Sequence, residues 1–283
     1  MAEMRKSIKY VILSVFLSSL IGSCGGLKSE QTEMSSDSVT VNMVDVTDTI
    51  SYILSNKSQC SVMAEAKIAY PDAYKDKAET EKLQQLFSDI VLDVPSDSIG
   101  LNGAFSKFVK NVLGQFGEDS DGAKFEDDDR EVVYKYNSMT NISVVYNKDG
   151  FLTFCKEEVT KKNDVVTMVS HNYYNISLEK MAKIELNNIF SEENISDISD
   201  LLKRKLLVQL HAKDEAEIID MGYFNLDNLV ANNNFRIGEN GITWTFGTFE
   251  IACYSVGETN ITLDYDALKP YMLENSEVQK YVQ

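Results

Sequence analysis

Histidine is almost missing from this sequence: His171 and His211 are the only two among 283 residues. A hydrolytic zinc centre needs two histidines and a carboxylate converging on one ion, and neither histidine has a partner at i, i+4. His171 falls in mid-strand and His211 at a helix end, so both read as structural. No Gly-x-Ser-x-Gly elbow, phosphate-cradling loop or dinucleotide fingerprint occurs. The residues therefore indicate no catalytic group, no metal site and no cofactor, and the expectation is a protein that is not an enzyme.

Positive charge is scarce as well. Lys and Arg number 27 against 44 Asp and Glu, a formal net charge of −17. Phosphates are held by Lys and Arg, so nucleic acid is excluded as a partner, whereas cations and basic proteins are attracted. Cysteine is sparse: beyond Cys24 there are Cys60, Cys155 and Cys253. Three thiols cannot all pair, so at most one disulfide is expected, and no spacing supports a Cys–His nucleophilic pair.

The apolar run Tyr10 to Ile21 is shorter than the ~20 residues of a membrane-spanning helix. It follows Arg5, Lys6 and Lys9 and precedes Ile21-Gly22-Ser23-Cys24, which resembles a bacterial lipobox. Residues 1–23 read as a lipoprotein signal peptide, with Cys24 as the acylated first residue of the mature chain. Each buried acyl methylene contributes ~0.8 kcal/mol to anchoring, so the membrane is a partner through an N-terminal lipid such as palmitate. Losing a leader of net +2 leaves the mature chain near −19. Residues 24–47, rich in Ser, Thr, Glu, Asp and Met, read as a flexible tether.

The body, 48–283, alternates strand-like and helix-like blocks. Short strands are expected around Ile53-Leu54 and Ile68-Ala69-Tyr70, ended by Pro71. Asp76 stands three residues before Glu79, a capping spacing. Leu83, Leu86, Phe87, Ile90 and Val91 then mark an amphipathic helix closed by Pro95. Phe105, Phe108, Val109, Val112 and Phe116 mark a second helix over 103–116. Glu118 to Glu131 is an acidic run that reads as a solvated loop. With Gly122 at the sixth position of a calcium loop, position one is Gly117, which lacks the needed carboxylate. Val132–Tyr136, Ile142–Tyr146, Phe151–Val159 and Val165–Tyr174 read as a four-strand meander with turns at 147–150 and 161–164. A helix over 196–210 buries Ile198, Leu201, Leu202, Leu206 and Leu210, and Asn232-Asn233-Asn234 is a loop. Blocks of this kind give an α+β fold, with antiparallel sheets packed against a few amphipathic helices. The halves divide at about 48–175 and 176–283.

The most strongly patterned stretch is Gly241 to Tyr271. Ile242, Trp244 and Phe246 alternate with Thr243 and Thr245, as in a half-buried strand. Gly247 interrupts, and Phe249, Ile251 and Cys253 resume the alternation. Val256-Gly257-Glu258 is a turn, and Ile261, Leu263 and Tyr265 form a third strand. Asp266 is placed to cap a following helical turn that Pro270 limits. Trp244 and Cys253 read as core.

This stretch resembles the C-terminal half of the PdaC/RsiV-like family of bacterial extracellular domains. The resemblance lies in Gly241-Ile242, in Phe249-Glu250-Ile251-Ala252-Cys253-Tyr254-Ser255-Val256-Gly257, and in Tyr265 to Tyr271 with its Leu268-x-Pro270-Tyr271 ending. It departs at Gly247-Thr248-Phe249, where relatives carry Asn-Pro-Tyr, and at Thr167 to Tyr174, where they carry a glycine-rich histidine motif. What the resemblance implies is a Bacteroidetes-type lipoprotein of the Gram-negative cell envelope, on the outer membrane at its periplasmic or surface face. Its domain would bind a ligand or protein, lysozyme or another basic envelope protein, through Phe246, Gly247, Thr248, Phe249 and Tyr254. Two alternatives stand beside it: a peptidoglycan-binding or accessory module of a deacetylase-type enzyme, and a structural envelope protein with no discrete ligand.

Overall fold

The computed structural model describes residues 38–53, 59–95, 99–122, 133–224 and 226–281. The expected signal peptide, Cys24, the expected tether up to residue 37 and the acidic run from residue 123 lie outside the described residues. The described chain forms two compact units. The first comprises the described residues up to Ile142 together with Glu158–Met168; the second comprises Ser143–Glu157 and Val169 onward.

In the first unit, β1 (Thr40–Ile53) pairs antiparallel with β2 (Gln59–Ala73) along its whole length. Residues 40–47, expected as the end of a flexible tether, lie in this strand. Thr40, Val41, Val44, Val46, Thr47 and Thr49 are β-branched, and that content favours the extended state over a solvated coil. Pro71 does not end β2. It sits opposite a register irregularity between Thr40 and Val41, a position where a strand tolerates proline, and the Gln84 side chain binds its carbonyl at 2.9 Å. Cys60, Val62, Ala64, Ala66 and Ile68 are buried at period two.

The chain then crosses over through α1 (Lys77–Ile90) and α2 (Gly100–Gly122) to β3 (Val133–Lys148). This strand runs parallel to β2, from Gln59↔Val133 to Ile68↔Ile142. The sheet is thus mixed where antiparallel pairing was expected, because a parallel neighbour becomes possible once two helices span the return. Asp76 accepts the Glu79 backbone N–H at 2.9 Å, as its spacing predicts. Leu83, Phe87 and Val91 of the first stripe are buried, as are Phe105, Phe108 and Val109 of the second; Val112 is half-buried, and Leu113, outside the stripe, is buried. The second helix runs on through Glu118 to Gly122, part of the run expected to be a loop.

Two of the four expected strands are one. β3 is continuous because Asn137 to Asn141 contains neither Gly nor Pro, and Ser138 and Thr140 are buried within it. β4 (Phe151–Lys162) and β5 (Val165–Ser177) follow through two-residue turns, Asp149-Gly150 and Asn163-Asp164. All four turn residues have positive φ, the requirement of type I′ hairpins. A short β6 (Ala182–Ile184) completes the order β1-β2-β3-β4-β5-β6.

The core of the second unit surrounds a three-stranded antiparallel sheet of β7 (Phe235–Ile237), β8 (Gly241–Phe246) and β9 (Thr259–Asp264). α3 (Ile195–Gln209) packs on β9, with Ile198, Leu202 and Leu206 buried. It ends with the crossed bonds His211 N–H to Val208 O and Ala212 N–H to Leu207 O, and His211 takes the left-handed position usually given to glycine. The short α4 (Glu215–Asp220) follows. Trp244 is fully buried between Phe190 and Phe235, at ring separations of 6.3 and 6.1 Å.

All six residues of β8 are buried, so it is not half-exposed. Its threonines satisfy their hydroxyls across the sheet: Thr243 with Thr262 at 2.8 Å, and Thr245 to Asn260 at 2.6 Å. Gly241 is required by close approach, since a Cβ there would strike the Leu263 carbonyl. α5 (Tyr265–Leu268) has Asp264, and not Asp266, at its N-cap position, and the Asp264 side chain makes no capping bond. The final 3-10 turn, Glu277–Tyr281, lays Tyr281 flat on Tyr265 at 5.2 Å and bonds its hydroxyl to that of Tyr146 at 2.8 Å. Both Tyr146 and Tyr281 reach the Asp149 carboxylate in the β3–β4 turn, and Lys280 bonds the Asp149 carbonyl.

Candidate functional site

The segment between β8 and β9 was expected to contain a strand over 249–253. It is instead a pinned loop. Glu250 folds back so that its carboxylate accepts the Gly247 N–H at 2.7 Å, while its own N–H bonds the Gly247 carbonyl at 3.1 Å. The other carboxylate oxygen takes Asn232 Nδ2 at 3.3 Å. These bonds close a turn whose third residue, Phe249, has φ +68°. Turn positions with positive φ belong to Gly or Asn. A bulky side chain there costs roughly 1–2 kcal/mol.

Burial does not offset that cost, because Phe249 is 61% exposed. Its ring lies 5.8 Å from Tyr254, itself 59% exposed. Between them Ile251 and Ala252 are buried and anchor the loop. Cys253 N–H bonds Gly222 O at 2.8 Å, Phe224 N–H bonds Ile251 O at 3.2 Å, and Tyr223 bridges Ala252. Gly222 has φ +100°, and a Cβ there would meet the Cys253 sulfur at 2.7 Å. Met221 and Phe224 on this flanking segment are also exposed. The arrangement holds large aromatic side chains in water on a fixed backbone.

Of the residues expected to bind, Phe249 and Tyr254 face solvent, and Gly247 and Thr248 are half-buried in the turn. Phe246 is fully buried and belongs to the core, because it continues the Ile242–Trp244 face of β8. Cys253 is half-buried and not core, and its thiol bonds Ser255 at 3.0 Å. That bond holds the thiol below its usual range. Cys60, Cys155 and Cys253 are all free.

A second cluster escaped sequence reading. On one face of β4 and β5, polar side chains pair as rungs from the interior outward. Thr153 bonds Asn175 at 2.9 Å, and the Asn175 amide also binds Phe235 O at 2.7 Å and Ile237 N–H at 3.1 Å. The next rung joins the buried Cys155 thiol to the Tyr173 hydroxyl, which receives Arg236 at 3.0 Å. The outer rung is His171, with Nδ1 2.8 Å from Glu258 and Nε2 3.7 Å from Glu157. Burial pushes the Cys155 thiol and the Tyr173 hydroxyl up, which keeps both neutral. A neutral buried thiol is a poor nucleophile, and the bonds of this ladder join β4, β5 and β7. Asn234 works alike: its amide takes Tyr173 N–H and gives to His171 O and Thr245 O.

Among the described residues no three His, Cys, Asp or Glu side chains converge as metal ligands. A surface depression of about 710 Å³ beside Tyr74 and Thr80 is broad and open.

The fold is similar to that of two solved proteins. One, a member of the DUF3298 family from Bacteroides fragilis, is 15% identical with a TM-score of 0.66, over 87% of this chain and 98% of its own. The other, a DUF3298 family protein from Pseudomonas aeruginosa, is 11% identical with a TM-score of 0.53, over 85% and 98%. No protein of curated function matches the chain. Residues 187–266, which hold α3, the three-stranded sheet and the Phe249 loop, match the family described as protein of unknown function (DUF3298).

Proposed function

We propose that this is an exported protein, anchored through Cys24, whose acidic second unit captures a basic protein of the cell envelope on the Phe249–Tyr254 loop. The observation that carries the reading is Phe249 itself. A phenylalanine placed in a strained backbone conformation and then left exposed serves neither packing nor the turn, and strain of this kind collects at ligand-binding positions. Aromatic anchors on a fixed backbone are the residues that dominate protein interfaces. The net charge of −17 supports a partner of opposite sign.

The mature chain passed over immobilised lysozyme and over peptidoglycan sacculi tests this. Lysozyme, as the basic probe, is expected to be captured, and the Phe249→Ala/Tyr254→Ala double variant is expected to bind about tenfold or more weakly. Capture that survives the double substitution would remove the loop from the reading. Retention on sacculi alone would replace it with wall-glycan binding.

A further inference from the structure

β5 is paired along its outer edge only at its end. β6 covers Asn175 to Ser177, and the Asn234 side chain takes the place of a strand at His171 and Tyr173. Before that, residues 165–170 have no ladder partner on this side among the described residues. Val165 is 67% and Met168 58% exposed, and Val166 and Val169 are exposed with them.

Open edges are ordinarily blunted by charge, proline or bulges. The opposite edge strand, β1, carries Asp45 and Asp48. Val165-Val166-Thr167-Met168-Val169-Ser170 carries no charge and no proline. It is also symmetric about Thr167. Antiparallel pairing of two copies about that residue sets Val166 opposite Met168, Val165 opposite Val169, and Thr167 opposite itself. Val–Val and Val–Met pairs bury apolar surface across the ladder, a Thr–Thr pair is a favourable cross-strand combination, and an interface made of one patch against itself closes as a twofold dimer. The hairpin's Lys161 and Lys162 are balanced by Glu158 and Asp164, so this edge carries no net charge on a chain of −17. Two acidic chains therefore add no charge repulsion of their own at this edge.

We infer that residues 165–169 of β5 form a homodimer interface in which two copies join edge to edge. The inference is independent of the Phe249 loop. Sedimentation velocity of the mature chain, from micromolar to submillimolar concentration, is expected to show a monomer–dimer equilibrium. Met168→Lys, at an exposed position, should leave the circular dichroism and melting temperature unchanged and weaken self-association roughly tenfold or more, since each lysine enters the strand pair twice. Thr167→Cys should form an intermolecular disulfide on mild oxidation, because directly opposed residues lie ~4.5–5.5 Å apart at Cα. Val165→Cys should not, because its copies would be separated by about four residues. A chain that stays monomeric throughout overturns the inference. So does Met168→Lys associating like the unaltered chain, or Val165→Cys cross-linking as readily as Thr167→Cys.

Discussion

The Asn175 amide bonds a hydroxyl, a carbonyl and a backbone N–H in a space closed to water. Asn175→Ala would leave those groups unsatisfied, at roughly 1–3 kcal/mol for each that water cannot reach. A total loss of about 3 kcal/mol or more is expected, read as a lower urea midpoint at unchanged slope. The alternation of Thr153, Cys155 and Glu157, and of His171, Tyr173 and Asn175, was visible as period two. Their shared inward face was not, because polar residues at that period ordinarily face water. Phe249 shows the same limit: its aromatic character was legible, but its positive φ follows from Glu250 folding onto Gly247, a contact no periodicity encodes.

Among elements, the final turn Glu277–Tyr281 bears on pH. Burial raises the ionisation of Tyr146, Tyr265 and Tyr281 above the ordinary tyrosine value, and Tyr146 and Asp149 raise Tyr281 further. A group with a raised folded pKa contributes stability that is full below its unfolded value and declines above it. Melting temperature is therefore expected to fall as pH rises past about 10, and Tyr281→Phe should shallow that fall. The helices were the most legible elements, since their stripes and the Asp76 cap are local. Strand ends were less so: β3 ran on where a break was expected, and the parallel β2–β3 pairing depends on a crossover that neither strand records.

For the whole molecule, the acidic balance sets how capture should respond to salt. Exposed charges are screened beyond ~10 Å at 0.1 M ionic strength, so retention on lysozyme is expected to weaken steeply between low and moderate salt. Salt-insensitive retention would place the affinity in the aromatic contacts alone. Charge and the α+β class follow from composition and pattern. The division into two units does not, because β3, β4 and β5 each pass from one unit to the other, and no linker marks the boundary.

The single tryptophan gives the second unit an optical label that the first lacks. Trp244 is sealed between Phe190 and Phe235, so its emission should be blue-shifted in the native chain and move to the red only when that core opens. Fourteen tyrosines and the peptide bands report on the rest. Emission and far-ultraviolet dichroism followed through one denaturant titration should coincide if the chain unfolds as one cooperative body, and separate if the second unit opens at its own midpoint.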